Sequence, residues 1–292
     1  MKKWNIIVDV ENCTNCQNCT MAVMDEYVGN AFPHYSAPHP PHGHHWVEIK
    51  KRERGSGSLL DVAYLNVMCN QCDNAPCVRA AKDGAIYKRE DGIVMIDPDK
   101  AKGQKQLVKA CPYGHIWWND EHQVPQKYSL DAHLLDDGWP EPRITQVCAS
   151  GCLYAVKLED NEMRQKAQEQ GLERLRPELK TEGRVWYKNL HLFMKEHLAG
   201  SVATYINGLD ECCETAQVEL YQEGKCLQHT VTDFFGDFKF QGLESKPGKY
   251  VLRIKWNGIE KEIDVNLEAA SVNIGDIRLD NPDAEVKRKS TA

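Results

Sequence analysis

The chain lacks most of the signatures that would let it act alone. No apolar run approaches the roughly 20 residues that span a bilayer. The opening Met1-Lys2-Lys3-Trp4 leads into a short strand-like stretch with no small-residue cleavage site, so no export signal is read and a cytoplasmic protein is expected. Positive charge is in deficit. Against 43 Asp and Glu there are 36 Lys and Arg, a net charge of −7, without the basic stripe that a nucleic-acid partner requires. The sequence has no P-loop, no Gly-x-Gly-x-x-Gly opening a helix, no nucleophile elbow and no His-Glu-x-x-His. Carboxylates are plentiful, but no pair is set apart for acid–base work. Catalysis by this chain alone is therefore not expected.

What it has is cysteine, 12 in 292 residues. In an exported protein these would be read as disulfides; without export, clustered C-x2-C spacing points to metal in a reducing compartment. Cys13, Cys16 and Cys19 form C-x2-C-x2-C, and Cys69, Cys72 and Cys77 form C-x2-C-x4-C. Each run supplies three thiolates, one short of a cubane. Cys111 and Cys152 lie downstream and can complete the two sets, as in two-cluster ferredoxins, where the fourth ligand of a run serves the other cluster. Pro76 before Cys77, and Pro112 and Gly114 after Cys111, turn the chain away once it has delivered a sulfur. Zinc is the competing metal, but it prefers two separated pairs to a run of three with a distant fourth. Two 4Fe–4S clusters and one-electron chemistry are the expectation.

The chain length suits two domains. Residues 1–160 hold the metal motifs, with Ile6–Val10 and Gly92–Asp97 expected as strands in a strand, cysteine loop, short helix rhythm that repeats. Residues 161–197 form a linker: a charged helix from Asn161 to Leu175 that stops before Pro177, then an extended Arg184–Tyr187. Over 198–280 the hydrophobic period switches to two, at Gln217–Leu220, Phe238–Phe240, Tyr250–Ile254 and Ile263–Val265, with turns at Gly236 and Gly248. The expected fold class is α+β, a tandem bacterial-ferredoxin-like domain followed by a C-terminal all-β sandwich. Residues 281–292 are charged and expected to be disordered.

Three stretches carry a family resemblance. Cys69–Val78 (CNQCDNAPCV), Asp91–Pro98 (DGIVMIDP) and Cys111–Gly114 (CPYG) resemble the iron–sulfur (beta) subunits of molybdopterin oxidoreductases of the dimethyl-sulfoxide-reductase family. Those subunits have four cysteine groups and four clusters, with the last cysteine exchanged between groups one and four and between two and three. On that pattern Cys152 joins Cys13, Cys16 and Cys19 in cluster one, and Cys111 joins Cys69, Cys72 and Cys77 in cluster two. A third site would need Ala81, Ala101, Gln104 and Leu107. A fourth would need Val23, Tyr128, Asp131 and Cys148, of which only Cys148 is a cysteine. Two sites are intact and two dismantled.

A narrower resemblance rests on Arg52–Gly55, Ala132–Asp137 and Tyr187–Leu190, together with the position of the C-terminal β domain, similar to Cna-B or carboxypeptidase-regulatory modules. It is to the small subunits of pyrogallol–phloroglucinol transhydroxylases (pyrogallol hydroxytransferases) and related resorcinol hydroxylases. It implies an electron-transfer subunit paired with a large catalytic subunit that carries molybdenum with bis-pterin guanine dinucleotide and acts on polyhydroxylated benzenes. That family keeps cysteines where this chain has Val23, Tyr128 and Asp131, which leaves this chain one cluster fewer and the choice between transhydroxylation and net hydroxylation open.

Three rival readings stand beside it: an electron-transfer subunit serving a non-phenolic substrate, a cluster-bearing module without turnover, and a zinc-binding interaction protein. The histidine loop (His34, His39, His42, His44, His45) follows no metal-ligand spacing and is expected to pack on a partner. Cys148 is expected to be a remnant of the collapsed fourth site, with Asp131 beside it only as an improbable ligand. Cys212, Cys213 and Cys226 are expected to be structural thiols. The sequons at Asn12 and Asn18 fall inside the cysteine loop and are taken as chance.

Overall fold

The computed structural model describes residues 1–206, 209–268 and 270–279. The chain divides into one unit of residues 1–51 and 64–190 and a second of 52–63 with 191 onward. The expectation for 281–292 lies outside the described residues.

Up to residue 190 the strands are β1 (Lys3–Asp9), β2 (Val47–Arg54), β3 (Asp61–Met68), β4 (Ile86–Lys88), β5 (Val94–Ile96), β6 (Trp117–Asn119), β7 (Val124–Gln126), β8 (Leu153–Leu158), β9 (Glu173–Arg174) and β10 (Val185–Lys188). The helices are α1 (Asn18–Tyr27), α2 (Pro76–Ala80), α3 (Ala132–Asp136), α4 (Arg143–Gln146) and α5 (Asp160–Gln170). β1 is central to a four-stranded sheet of order β8-β1-β10-β9. It runs antiparallel to β8, with Ile6 opposite Ala155, and parallel to β10, with Ile6 opposite Val185. Both of its faces are covered, which is why Ile6-Ile7-Val8 reads as an unbroken apolar run. Helix α5 lays Met163 and Ala167 on Ile7, Leu172 and Trp186.

α5 starts at a capping box in which Glu159 and Glu162 each satisfy the other's backbone N–H. It stops earlier than the charge pattern predicts. Gly171 takes the left-handed conformation (φ 61°), and Glu173–Arg174 then pair with β10 instead of extending the helix.

Two small hairpins, β4–β5 and β6–β7, flank α2 and the 3-10 turn Lys105–Ala110. Ala85, Ile86, Val94, Ile96, Ala101, Leu107 and Ile116 pack there with Cys72 and Cys77, the local core of a ferredoxin-like unit. α1 packs on α4 and buries Cys19, Ala22, Val23 and Tyr27, one face of a 3.6-residue period. The β2–β3 ribbon was not foreseen, because Lys50–Arg54 is a solid charge run with no apolar alternation to mark it.

The second unit holds α6 (His191–Met194), β11 (Glu196–Ile206), β12 (Leu209–Cys212), β13 (Gln217–Gln222), β14 (Lys225–Val231), β15 (Asp237–Leu243), β16 (Gly248–Trp256), β17 (Ile259–Leu267) and β18 (Val272–Leu279). β15 and β12 pair with successive stretches of β11, and β18 runs parallel to it. A second sheet has the order β14-β13-β16-β17. Alternate residues from both sheets, among them Val218, Leu220, Phe238, Phe240, Leu252, Ile254 and Ile277, make one apolar core. The period-two stretches at 217–220, 238–240, 250–254 and 263–265 lie within β13, β15, β16 and β17. No described helix is long and apolar enough to cross a membrane.

Candidate metal centres

The second set of cysteines surrounds a cavity. Cys69 follows β3 directly, Gln71 takes a left-handed turn (φ 49°), Cys72 comes next, and Cys77 is the second residue of α2 behind Pro76. Cys111 enters from the end of the 3-10 turn at Lys105–Ala110. The four line a cavity with Val94, Tyr113, Ile116 and Lys127. Its walls are otherwise mainly apolar. Burial pushes the Cys72 thiol up to about 12 and Cys77 to about 11, with neighbouring Cys69 adding to both; Cys111 is raised for the same reasons. Four sulfurs gathered in a low-polarity hollow suit a multi-iron cation, which would take up the thiolate charge on binding.

Donors are also in place around these sulfurs. The backbone at His115, Tyr113 and Gly114 opposes the rise at Cys111, and the Thr181 hydroxyl opposes it at Cys72. Thr181 is itself held by Tyr113, hydroxyl to hydroxyl at 2.6 Å. Two lysines, half-buried Lys88 and buried Lys127, stand beside the set. Lys88 Nζ donates to the carbonyls of Gln71 and Cys72, both at 3.0 Å, and pairs with Asp73 at 2.9 Å. Lys127 Nζ donates to the carbonyls of Val94 and Tyr128.

The first set gathers at the end of β1. Cys13 follows the turn Val10–Asn12, left-handed Asn15 (φ 57°) and Gln17 (φ 63°) bend the loop, and Cys19 lies in the first turn of α1. Cys152 immediately precedes β8, and its carbonyl accepts from Asp9 N at 2.8 Å, which fixes it across the sheet from Cys13. The Cys13 thiol is lowered and Cys152 raised, chiefly because they share a hydrogen bond. Burial pushes Cys19 up to about 11, opposed by Asn66, whose Nδ2 donates to its sulfur at 3.0 Å. Cys16 is exposed. Among the described residues no three His, Cys, Asp or Glu are grouped to hold a single ion. The donor chemistry of both sets, all sulfur with amide donors around it, fits iron–sulfur clusters.

The two positions without a full cysteine set are filled differently. At the third, Ala101 and Leu107 are fully buried in the apolar core against Ala81, and Gln104 is tied to Lys82 and Lys100. At the fourth, Asp131 is buried and accepts from Tyr27 Oη at 2.9 Å, Tyr128 Oη at 2.7 Å and Arg143 N at 2.8 Å. Burial raises the Asp131 carboxyl, opposed by the Tyr128 and Tyr27 hydrogen bonds. Val23 is buried in α1. Cys148 Sγ accepts from Leu153 N at 3.2 Å, an internal role in the loop.

The histidine loop splits. His39 is buried against Trp46, ring centroids 4.5 Å apart, with Nδ1 at 2.6 Å from Pro40 O; burial lowers it to about 4. His44 Nε2 lies 3.1 Å from Trp118 O. His34, His42 and His45 are exposed. The loop is thus partly internal packing. Of the three remaining cysteines, Cys213 is buried in the second unit's core while Cys212 and Cys226 are exposed. Lys127, Asn66 and Tyr27 escaped the sequence reading, since none belongs to a spaced motif.

Residues 60–158 match the 4Fe-4S dicluster domain family. The chain is 27% identical to a putative iron–sulfur subunit of dimethyl sulfoxide reductase from Halobacterium salinarum, over 56% of this chain and 69% of that one. It is 29% identical to a thiosulfate reductase electron transfer subunit of Salmonella typhi, over 53% and 76%. The family match and these relatives show a 4Fe–4S protein of the class that serves molybdopterin oxidoreductases as electron-transfer subunits. Within that class the similarity to the pyrogallol hydroxytransferase small subunit of Pelobacter acidigallici is 42% over 282 residues, 96% of this chain and all of that one. The chain belongs to the family of pyrogallol hydroxytransferase small subunits.

Proposed function

We propose that the chain holds two 4Fe–4S clusters and passes electrons for a large catalytic subunit carrying molybdenum with bis-pterin guanine dinucleotide. Cluster one would be held by Cys13, Cys16, Cys19 and Cys152, and cluster two by Cys69, Cys72, Cys77 and Cys111. The clusters supply one-electron transfer when bound. The chain's own part is to bring four sulfurs to each, to exclude water from the second set, and to aim amide donors at the sulfurs, which favours the more negative, reduced state. The substrate class is polyhydroxylated benzenes such as pyrogallol or resorcinol, bound and transformed on the partner, in the cytoplasm. The second unit is read as a Cna-B-type β-sandwich accessory to the complex.

The observation that carries this reading is the cavity walled by Cys69, Cys72, Cys77 and Cys111. The Asp131 network and the packed Leu107 region support a count of two, because neither offers sulfur. The test is iron, acid-labile sulfide, zinc and molybdenum per chain in the complex purified without air. About eight irons and eight sulfides, with stoichiometric molybdenum, are expected. About twelve irons would mean that the fourth position holds a cluster despite its tyrosines. Zinc without sulfide would end the reading.

A further inference from the structure

We propose that Lys127 is the counter-ion of the second cluster and raises that cluster's reduction potential. The inference rests on the two-cluster reading above. Lys127 is only 4% exposed. Its Nζ is fixed by the carbonyls of Val94 and Tyr128, and the side chain lines the cavity shared by Cys69, Cys72, Cys77 and Cys111.

The neighbouring lysine shows what is missing. Lys88 reaches backbone carbonyls of the same loop, but it also pairs with Asp73, which in turn is held by Arg184. Its charge is answered within the chain. Lys127 makes only carbonyl hydrogen bonds, and among the described residues no carboxylate is paired with it. Burying an ammonium ion without an opposite charge is strongly unfavourable. The negative charge Lys127 faces is that of the four sulfurs lining the same cavity. A cubane held by four thiolates is a net anion whose charge grows by one unit on reduction. The ammonium therefore stabilises the reduced form more than the oxidised form, and the potential rises. The first cysteine set has a neutral donor, Asn66, at the buried Cys19 sulfur instead.

The experiment compares Lys127→Gln and Lys127→Arg with wild type in the full complex, by potentiometric titration followed by paramagnetic resonance, with iron and sulfide counted on each sample. In Lys127→Gln the reduced-to-oxidised ratio of the second cluster at a fixed ambient potential falls about tenfold or more, a drop of about 59 mV for a one-electron couple. The first cluster stays where it was, and Lys127→Arg stays near wild type. Loss of about four irons in Lys127→Gln, with full iron and a near-native potential in Lys127→Arg, supports the same role. An unmoved second cluster at full iron overturns the proposal alone, as does equal loss of iron in both variants, which would make the residue a matter of shape. Wild-type protein without acid-labile sulfide overturns the two-cluster reading and this inference with it.

Discussion

Replacing Asp131 with alanine removes at once the acceptor of two buried tyrosine hydroxyls and of the part-buried Arg143 N–H. Tyr27 Oη, Tyr128 Oη and Arg143 N all end on its carboxyl group, and both tyrosines are fully buried. Each orphaned donor costs roughly 1–3 kcal/mol. The backbone adds to this, because Asp131 follows Leu130 in the left-handed region (φ 52° and 54°), which Asp tolerates better than Ala. The contributions overlap, so the expected loss is about 3–6 kcal/mol, felt at the starts of α3 and α4. Asp131→Asn keeps the shape, the backbone tolerance and one oxygen, and a tyrosine hydroxyl can turn to accept from the new amide; about 1 kcal/mol is expected. Hydrogen exchange over residues 128–146 of the cluster-loaded protein reads this directly, since local opening sets the rate. The Arg143 amide should exchange roughly 10²–10⁴-fold faster in the alanine variant and about tenfold or less in the asparagine variant. Unchanged exchange in Asp131→Ala, or equal damage from both, would refute the claim that the carboxyl group organises this region.

Asn66→Ala removes the N–H donor to Cys19. The first cluster should fall in potential by roughly 1–2 kcal/mol of lost stabilisation, some tens of millivolts, while the second stays unmoved in the same redox titration. For acid stability, hydrogen bonds from Lys3 and then Arg184 lower the Asp160 carboxyl to about 2, against an ordinary 3.8. A depressed value means stabilisation that is full above the unfolded value and lost as pH falls through the folded one. Unfolding midpoints should therefore drop between about pH 4 and pH 2, less steeply in Asp160→Asn. Gly236 sits at φ 78°, and a Cβ there would collide with the carbonyl oxygen of Val202. Gly236→Ala should cost roughly 2–4 kcal/mol, seen as faster exchange along residues 198–204 with both clusters' resonance spectra unchanged.

The sequence disclosed what is local. Cysteine spacing marked the runs Cys13–Cys19 and Cys69–Cys77, and period-two alternation located β13, β15, β16 and β17, because each signal lies within a few residues. What it could not disclose depends on pairs distant in sequence. Asp131 looked like a failed ligand until Tyr27 arrived from over a hundred residues away. Lys127 carries no motif at all, and only the fold brings it to Cys77. The charge run at Lys50–Arg54 hid a strand whose stability comes from its partner β3 and not from its own alternation. The five histidines of the loop, alike in composition, divide between inward packing and solvent, a split that composition does not show.

The place of β1 at the middle of its sheet has a consequence for synthesis. Both of its neighbours, β8 and β10, come from residues 153–188, so the most apolar strand of this unit leaves the ribosome long before anything exists to pair with it. At roughly 5–20 residues per second, that interval is on the order of 10–35 s. Through it, Trp4 to Val8 is an unpaired sticky segment, and Cys13, Cys16 and Cys19 wait beside it for Cys152. Residues 69–111, by contrast, hold a complete sulfur set within one short stretch. The nascent chain can close its second pocket while its first end is still open, which makes the early strand the step most in need of a chaperone.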